Sequence, residues 1–184
     1  CQRSMKTRTV AIHTGKRFQV PQGVQRIDTQ ATHGWQLRYR GETKMFSDGD
    51  PHGRGAARAL EAATEELLRR IARLPAPTGL QRSPNQSKGS DLPVGISGPL
   101  VRTRSPSGAR YACFLVAIPR YGQKPRRASV YIGTETTYTP ERYHQALARA
   151  MELRAEAEQA YQREATRDKR QQARAWREHQ KPRA

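Results

Sequence analysis

The chain has 184 residues, with 34 Lys and Arg against 16 Asp and Glu, a formal charge of +18. That length allows one or two small domains and excludes a single large core. The charge excess implies a polyanionic partner, most often nucleic acid, less often a membrane surface or an acidic protein.

The excess is not a basic tail alone. Residues 1–75 carry 14 basic and 7 acidic side chains and residues 93–162 carry 10 and 5, so several surfaces are expected to meet one polyanion. Met5-Lys6-Thr7 reads as a natural start, leaving Cys1 to Ser4 as vector or upstream sequence. Around the N-terminal segment 1–19, residues 5–22 contain Val10-Ala11-Ile12 and Phe18-Gln19-Val20 on either side of a basic Gly15-Lys16-Arg17 turn. They form either an extra hairpin or a basic arm that orders on nucleic acid; the arm is the reading adopted.

Residues 20–75 form the first predicted module. Gly23 to Ile27 reads as a short strand. After a polar turn, Trp35-Gln36-Leu37-Arg38-Tyr39-Arg40 alternates strictly between apolar and polar, the period of a strand with one buried face. Thr43 to Phe46 is a third strand. From Arg54 to Leu74, Leu60, Leu67, Ile71 and Leu74 recur at helical spacing with alanines between them, an amphipathic helix. With Trp35, Leu37 and Tyr39 on that helix, Gln36, Arg38 and Arg40 point away from it, flanked by Gln25, Arg26 and Lys44. Guanidinium groups and amides on a sheet suit the DNA major groove, where Arg pairs bidentately with guanine and Gln with adenine. A simple solvated sheet face is the competing reading.

The order Gly23-Val24, Gly34 to Arg40, Phe46-Ser47-Asp48, Gly53 and Ala59 to Ala63 resembles the bacterial branch of the AP2 DNA-binding domains. These are similar to plant AP2/ERF modules and to integrase arm-binding domains. The resemblance covers about fifty residues and implies a three-stranded sheet that enters the major groove with the helix as support. It implies that Gln25, Arg38, Arg40 and residues near Met45 face DNA. The family often has an arginine on its first strand where this chain has Gln25 or Ile27.

Residues 76–92 read as a flexible linker, since 75–93 hold four prolines and no periodicity. Residues 93–162 repeat the plan as a second AP2-like module. Arg110 to Ile118 is a long apolar strand, Pro119 to Arg127 a basic hairpin tip, Ser129 to Gly133 a third strand. Thr139-Pro140 opens a helix with Thr as N-cap and Pro at its first position. If Phe114, Val116 and Ile118 face inward, Leu115 and Ala117 face outward and cannot read base edges. The basic groups lie at Arg102, Arg104, Arg110, Arg120, Lys124, Arg126 and Arg127, so this copy is expected to hold phosphates; packing or homodimerisation is the other reading. Residues 163–184 are a basic helical tail, ordered when bound and frayed when free.

The expected fold class is α+β: two small modules, each a three-stranded antiparallel sheet packed on one α-helix, plus the helical extension. The histidines (His13, His33, His52, His144, His179) are scattered and expected to be structural. Cys1 and Cys113 make neither a disulfide framework nor a zinc site, and Cys113 reads as a buried thiol. There is no Walker loop, dinucleotide fingerprint or nucleophile elbow. No enzyme activity, cofactor, metal or small-molecule substrate is expected. No apolar run reaches membrane-spanning length and no signal-peptide core is present, so the expected location is the cytoplasm, on the nucleoid. The expected function is sequence-specific binding of double-stranded DNA in transcriptional control or DNA organisation. A structured-RNA binder is the alternative, although RNA readers expose aromatics for stacking and the outward positions of the first sheet carry none. A protein-interaction adaptor using the second module is a third reading.

Overall fold

The computed structural model describes residues 5–83 and 89–180. Cys1 to Ser4, the centre of the expected linker and the last four residues of the expected tail lie outside the described residues. The elements follow the order expected, with one addition at the start.

The addition is a hairpin where the arm was expected. Strand β1 (Thr7–Ala11) pairs antiparallel with β2 (Arg17–Pro21), from Thr7 opposite Pro21 to Ala11 opposite Arg17. Gly15 takes φ +84°, the left-handed conformation that glycine adopts without steric cost. A lone two-stranded hairpin is marginal in water; this one is held by burial. Met5, Ile12 and Val20 enter the core of the first unit, and Phe18 meets Trp35 edge-on with ring centroids 5.7 Å apart. The alternative that the apolar runs allowed is therefore the one adopted, because each run finds a third surface.

Strands β3 (Val24–Asp28), β4 (His33–Leu37) and β5 (Lys44–Ser47) form an antiparallel meander, and helix α1 (Ala56–Arg73) lies on one face. The helix buries Ala56, Ala59, Leu60, Ala63, Leu67 and Ile71, one stripe at i, i+3 and i+4. Against it lie Val24, Trp35 and Leu37, all fully buried. Each large side chain so buried contributes roughly 1.5–3 kcal/mol. The indole Nε1–H donates to the Ala56 carbonyl at 2.8 Å, satisfying the ring's polar atom and tying β4 to the first turn of the helix. Arg70 of α1 reaches back to the β4–β5 turn, donating from Nη1 to the carbonyls of Arg40 at 3.0 Å and Glu42 at 2.6 Å. Its Nε meets Glu66 at 3.1 Å, so Glu66 orients the clamp.

The second unit repeats the arrangement with longer strands: β6 (Ile96–Arg104), β7 (Ala109–Ile118) and β8 (Arg126–Thr134), again a meander, followed by α2 (Pro140–Gln180). Thr139 caps the helix as expected; its Oγ1 accepts from Arg142 N at 3.2 Å. Ile96, Phe114, Val116, Ile118, Val130 and Ile132 form the core with Ala146 and Ala150 of α2. The fold class is thus α+β, two three-stranded antiparallel sheets each with a helix, plus the N-terminal hairpin.

The chain divides into two compact units, one ending at Pro77 and resuming at Ala165, the other Thr78–Glu164. The end of α2 therefore belongs to the first unit. Ala165 and Ala173 are buried there, and Trp176 packs against the core of that unit. Thr166 Oγ1 accepts from Ala76 N at 3.0 Å. Ala165, Ala173 and Trp176 are the residues that give the otherwise polar tail its packing face. Among the described residues no helix is long and apolar enough to cross a membrane.

Candidate nucleic-acid interface

Register decides which side chains the first sheet presents. Residues directly opposite in an antiparallel pair share a face. Val24 stands opposite Leu37 and Arg26 opposite Trp35, so these lie on the helix side. Gln25 stands opposite Gln36, and Gln36 opposite Met45, forming one row across the face that α1 does not cover. Arg38 adjoins this row, exposed, with its Nε donating to Gln36 Oε1 at 2.6 Å. Its backbone N–H donates to the Gly23 carbonyl at 2.7 Å, which continues the pairing one step beyond the strand end. Gly34 shares this face; a Cβ there would collide with the Phe46 carbonyl, so only glycine lets β5 approach. Three expected residues, Gln25, Gln36 and Arg38, are thereby brought together.

Three others are not, and the geometric expectation for them is corrected. Arg26 lies on the helix side, its guanidinium 4.9 Å from the Trp35 ring centre. Lys44 stands opposite Leu37, on the helix-side edge, with Nζ 5.3 Å from the Phe46 ring centre. Arg40 lies beyond β4, which ends at Leu37 rather than continuing. It takes φ +33° and donates from Nη2 to the Ala76 carbonyl at 3.2 Å. The alternation continues to Tyr39, which is buried, but the chain turns immediately after it.

Arg26 is held by two carboxylates. Its Nη1 and Nη2 meet Asp48 at 2.9 and 2.6 Å, and its Nε and Nη2 meet Asp28 at 3.0 and 2.7 Å. Burial alone would lower its pKa, but the bonds to Asp48 and Asp28 outweigh that and push it above the usual arginine value. Burial would likewise raise the Asp28 carboxyl; hydrogen bonds from Arg26, His33 and the His13 backbone instead hold it well below the usual carboxylate range. His13 and His33, far apart in sequence, converge there. Their Nδ1 atoms lie 3.1 and 2.9 Å from the same Asp28 oxygen, and their rings stack with centroids 4.0 Å apart. Such a set of ligand atoms could hold a metal ion, but the Arg26 guanidinium sits 2.7 Å from that same oxygen and opposes a second cation. The cluster acts as a pin: His13 joins the hairpin to Asp28 and, through Nε2, to the Pro51 carbonyl at 2.8 Å. No sequence spacing announces it, since its members come from three separate segments.

In the second unit all seven expected basic residues, Arg102, Arg104, Arg110, Arg120, Lys124, Arg126 and Arg127, are exposed. They divide by face. Arg102 stands opposite Tyr111 and Arg127 opposite Ala117, and with Arg104 they occupy the face away from α2. Arg126 stands opposite the buried Ile118, on the other face, and Arg110 lies 3.7 Å from Glu135. Arg120 and Lys124 lie in the β7–β8 connection, where Arg120 Nε donates to the Lys124 carbonyl at 3.1 Å. Leu115 and Ala117 face outward, half-buried. The same face also carries Tyr111 and Tyr131, which the sequence reading passed over. Their ring centroids are 5.9 Å apart, and the Arg104 Cζ lies 5.8 Å from the Tyr111 ring centre.

No protein family, curated protein or solved structure was found to match this chain.

Proposed function

We propose that the protein binds double-stranded DNA and reads base edges in the major groove with the open face of β3–β4–β5. The observation that carries this reading is the register that aligns Gln25 with Gln36 and sets Arg38 against Gln36, on the face opposite α1. Two amides and a guanidinium on a pleated surface match the donor and acceptor patterns of adenine and guanine. The Arg38–Gln36 bond orients both groups before DNA arrives, which lowers the ordering cost of binding. The resemblance to AP2 domains supports the same docking. Affinity comes chiefly from phosphate contacts by a chain of net charge +18. Arg120, Lys124, Arg126 and Arg127 in and beside the β7–β8 connection supply such contacts, and two units on one chain raise affinity through effective concentration. The biological role is transcriptional control or organisation of DNA at the nucleoid, without catalysis.

Salt dependence tests this directly. Duplex binding followed by fluorescence anisotropy should weaken steeply between low and moderate salt, with a log–log slope of about −0.9 per phosphate neutralised. A flat salt response, or no binding to any duplex, overturns the proposal.

A further inference from the structure

The exposed face of the second sheet is built differently from that of the first. Tyr131 is 46% exposed in spite of its size. It stands opposite Cys113, which is fully buried, and its ring meets that of Tyr111 at a 40° tilt. Arg104 lies over Tyr111, and Arg102 stands directly opposite it. Arg127 occupies the same face on β8, and no acidic residue sits on this face among the described residues. Two adjacent aromatic rings carry no hydrogen-bond code for base edges, so this is not a groove reader of the Gln and Arg kind. They offer flat π surfaces, and the guanidinium groups of Arg102 and Arg104 beside Tyr111, with Arg127 further along the same face, offer positive charge. The ligand complementary to both is an anionic chain carrying planar rings whose faces are free. In a duplex those faces are stacked away; in an unpaired strand they are available.

We infer that the open face of β6–β7–β8 binds an unpaired DNA strand, stacking bases on Tyr131 and Tyr111 while Arg102, Arg104 and Arg127 hold the phosphates. Arg104 contributes twice, since a guanidinium over a ring also closes the stack from above. This goes beyond duplex reading by the first unit and rests on it only in sharing a nucleic-acid partner. Combined with that reading, it makes the chain a binder of sites where duplex and unpaired DNA adjoin.

The test uses the full chain and four fluorescent probes of equal length: a twelve-nucleotide oligothymidine, the matching oligouridine, the oligothymidine backbone with abasic sites, and a duplex. The wild type should bind oligothymidine at least about tenfold more tightly than the abasic strand, the size of one to two stacked bases. Tyr131→Leu should weaken oligothymidine binding by about tenfold and leave duplex affinity within about twofold; Tyr131→Phe, which keeps the ring, should retain both. Arg104→Gln should weaken binding of both single strands. Thermal melting of each variant confirms that the fold is kept, and the wild-type comparison of oligothymidine with the abasic strand carries the test if the leucine variant unfolds. Equal binding of the abasic strand by the wild type, or unchanged oligothymidine affinity in folded Tyr131→Leu, overturns the inference. Tighter binding of oligouridine than of oligothymidine supports the same stacking platform but overturns the assignment of its strand to DNA. Loss of duplex preference with stacking intact would instead remove the reading of the first sheet and leave this one standing.

Discussion

Arg26 and Asp48 form a largely buried ion pair in the first unit: their side chains are 6% and 0% exposed, and the two terminal guanidinium nitrogens meet the carboxylate at 2.6 and 2.9 Å. Asp48 is also the residue whose carbonyl a Cβ at Gly55 would strike, at the start of α1. The pair thus joins β3 to the loop that launches the helix, beneath the face proposed to meet DNA.

Removing one partner leaves the other charged and buried. Arg26→Ala should cost about 3–5 kcal/mol of unfolding free energy, read by chemical denaturation, and Asp48→Ala should cost less, because Arg26 keeps its bonds to Asp28. At temperatures where it remains folded, Arg26→Ala should keep its duplex sequence preference. Wild-type stability combined with lost preference would show that Arg26 touches DNA instead.

Acid should loosen the same region through Asp28. Its carboxyl titrates lower in the folded protein than in the unfolded chain, because the bonds from Arg26, His33 and His13 outweigh burial. A depressed carboxylate contributes stability that is present above its unfolded pKa of about 3.9 and is lost as pH falls towards the folded value. Asp28→Asn should therefore melt lower than the wild type near neutrality, with the gap narrowing below about pH 4. A gap that stays constant on acidification contradicts the role given to this carboxylate.

Tyr39 carries the opposite kind of feature. Its hydroxyl is buried and finds no hydrogen-bond partner among the described residues, and burial pushes its pKa up. Tyr39→Phe removes an unsatisfied polar atom and keeps the ring. Stability should hold or rise by up to about 1 kcal/mol. A loss of that size in denaturant titration would mean that the hydroxyl has a partner.

The elements were legible in the sequence where period and packing agree. The Trp35–Leu37 alternation and the Leu60, Leu67, Ile71 stripe have simple periods, and both recur in the core. Face assignments at strand ends were less legible. Arg26 and Gln25 are neighbours, and only the register that buries Val24 shows that Arg26 turns inward. Arg40 continues the alternation on paper, yet the backbone leaves the sheet two residues earlier than that step. Tyr111 was within reach: continuing the period back from Ile118, Val116 and Phe114 puts Tyr111 on the outward side with Leu115 and Ala117. The hairpin and the returning end of α2 depend on contacts between distant segments, such as Phe18 with Trp35 and Thr166 with Ala76. Local pattern carries no signal of that kind.

The central claim is that the Gln25–Gln36–Arg38 face reads sequence. The measurement that addresses it most directly is the ratio of affinities for a duplex selected from random sequence and a shuffled duplex, taken for the wild type and Arg38→Ala at one salt concentration. If Arg38 forks onto a guanine, the ratio should fall by about fivefold to more than a hundredfold in the variant, the cost of about 1–3 kcal/mol for a lost bidentate contact. Arg120→Ala and Arg127→Ala should weaken both duplexes alike and leave the ratio unchanged. An unchanged ratio in Arg38→Ala, with the ratio lost in Arg120→Ala or Arg127→Ala, would contradict the account and move the reading surface to the second unit.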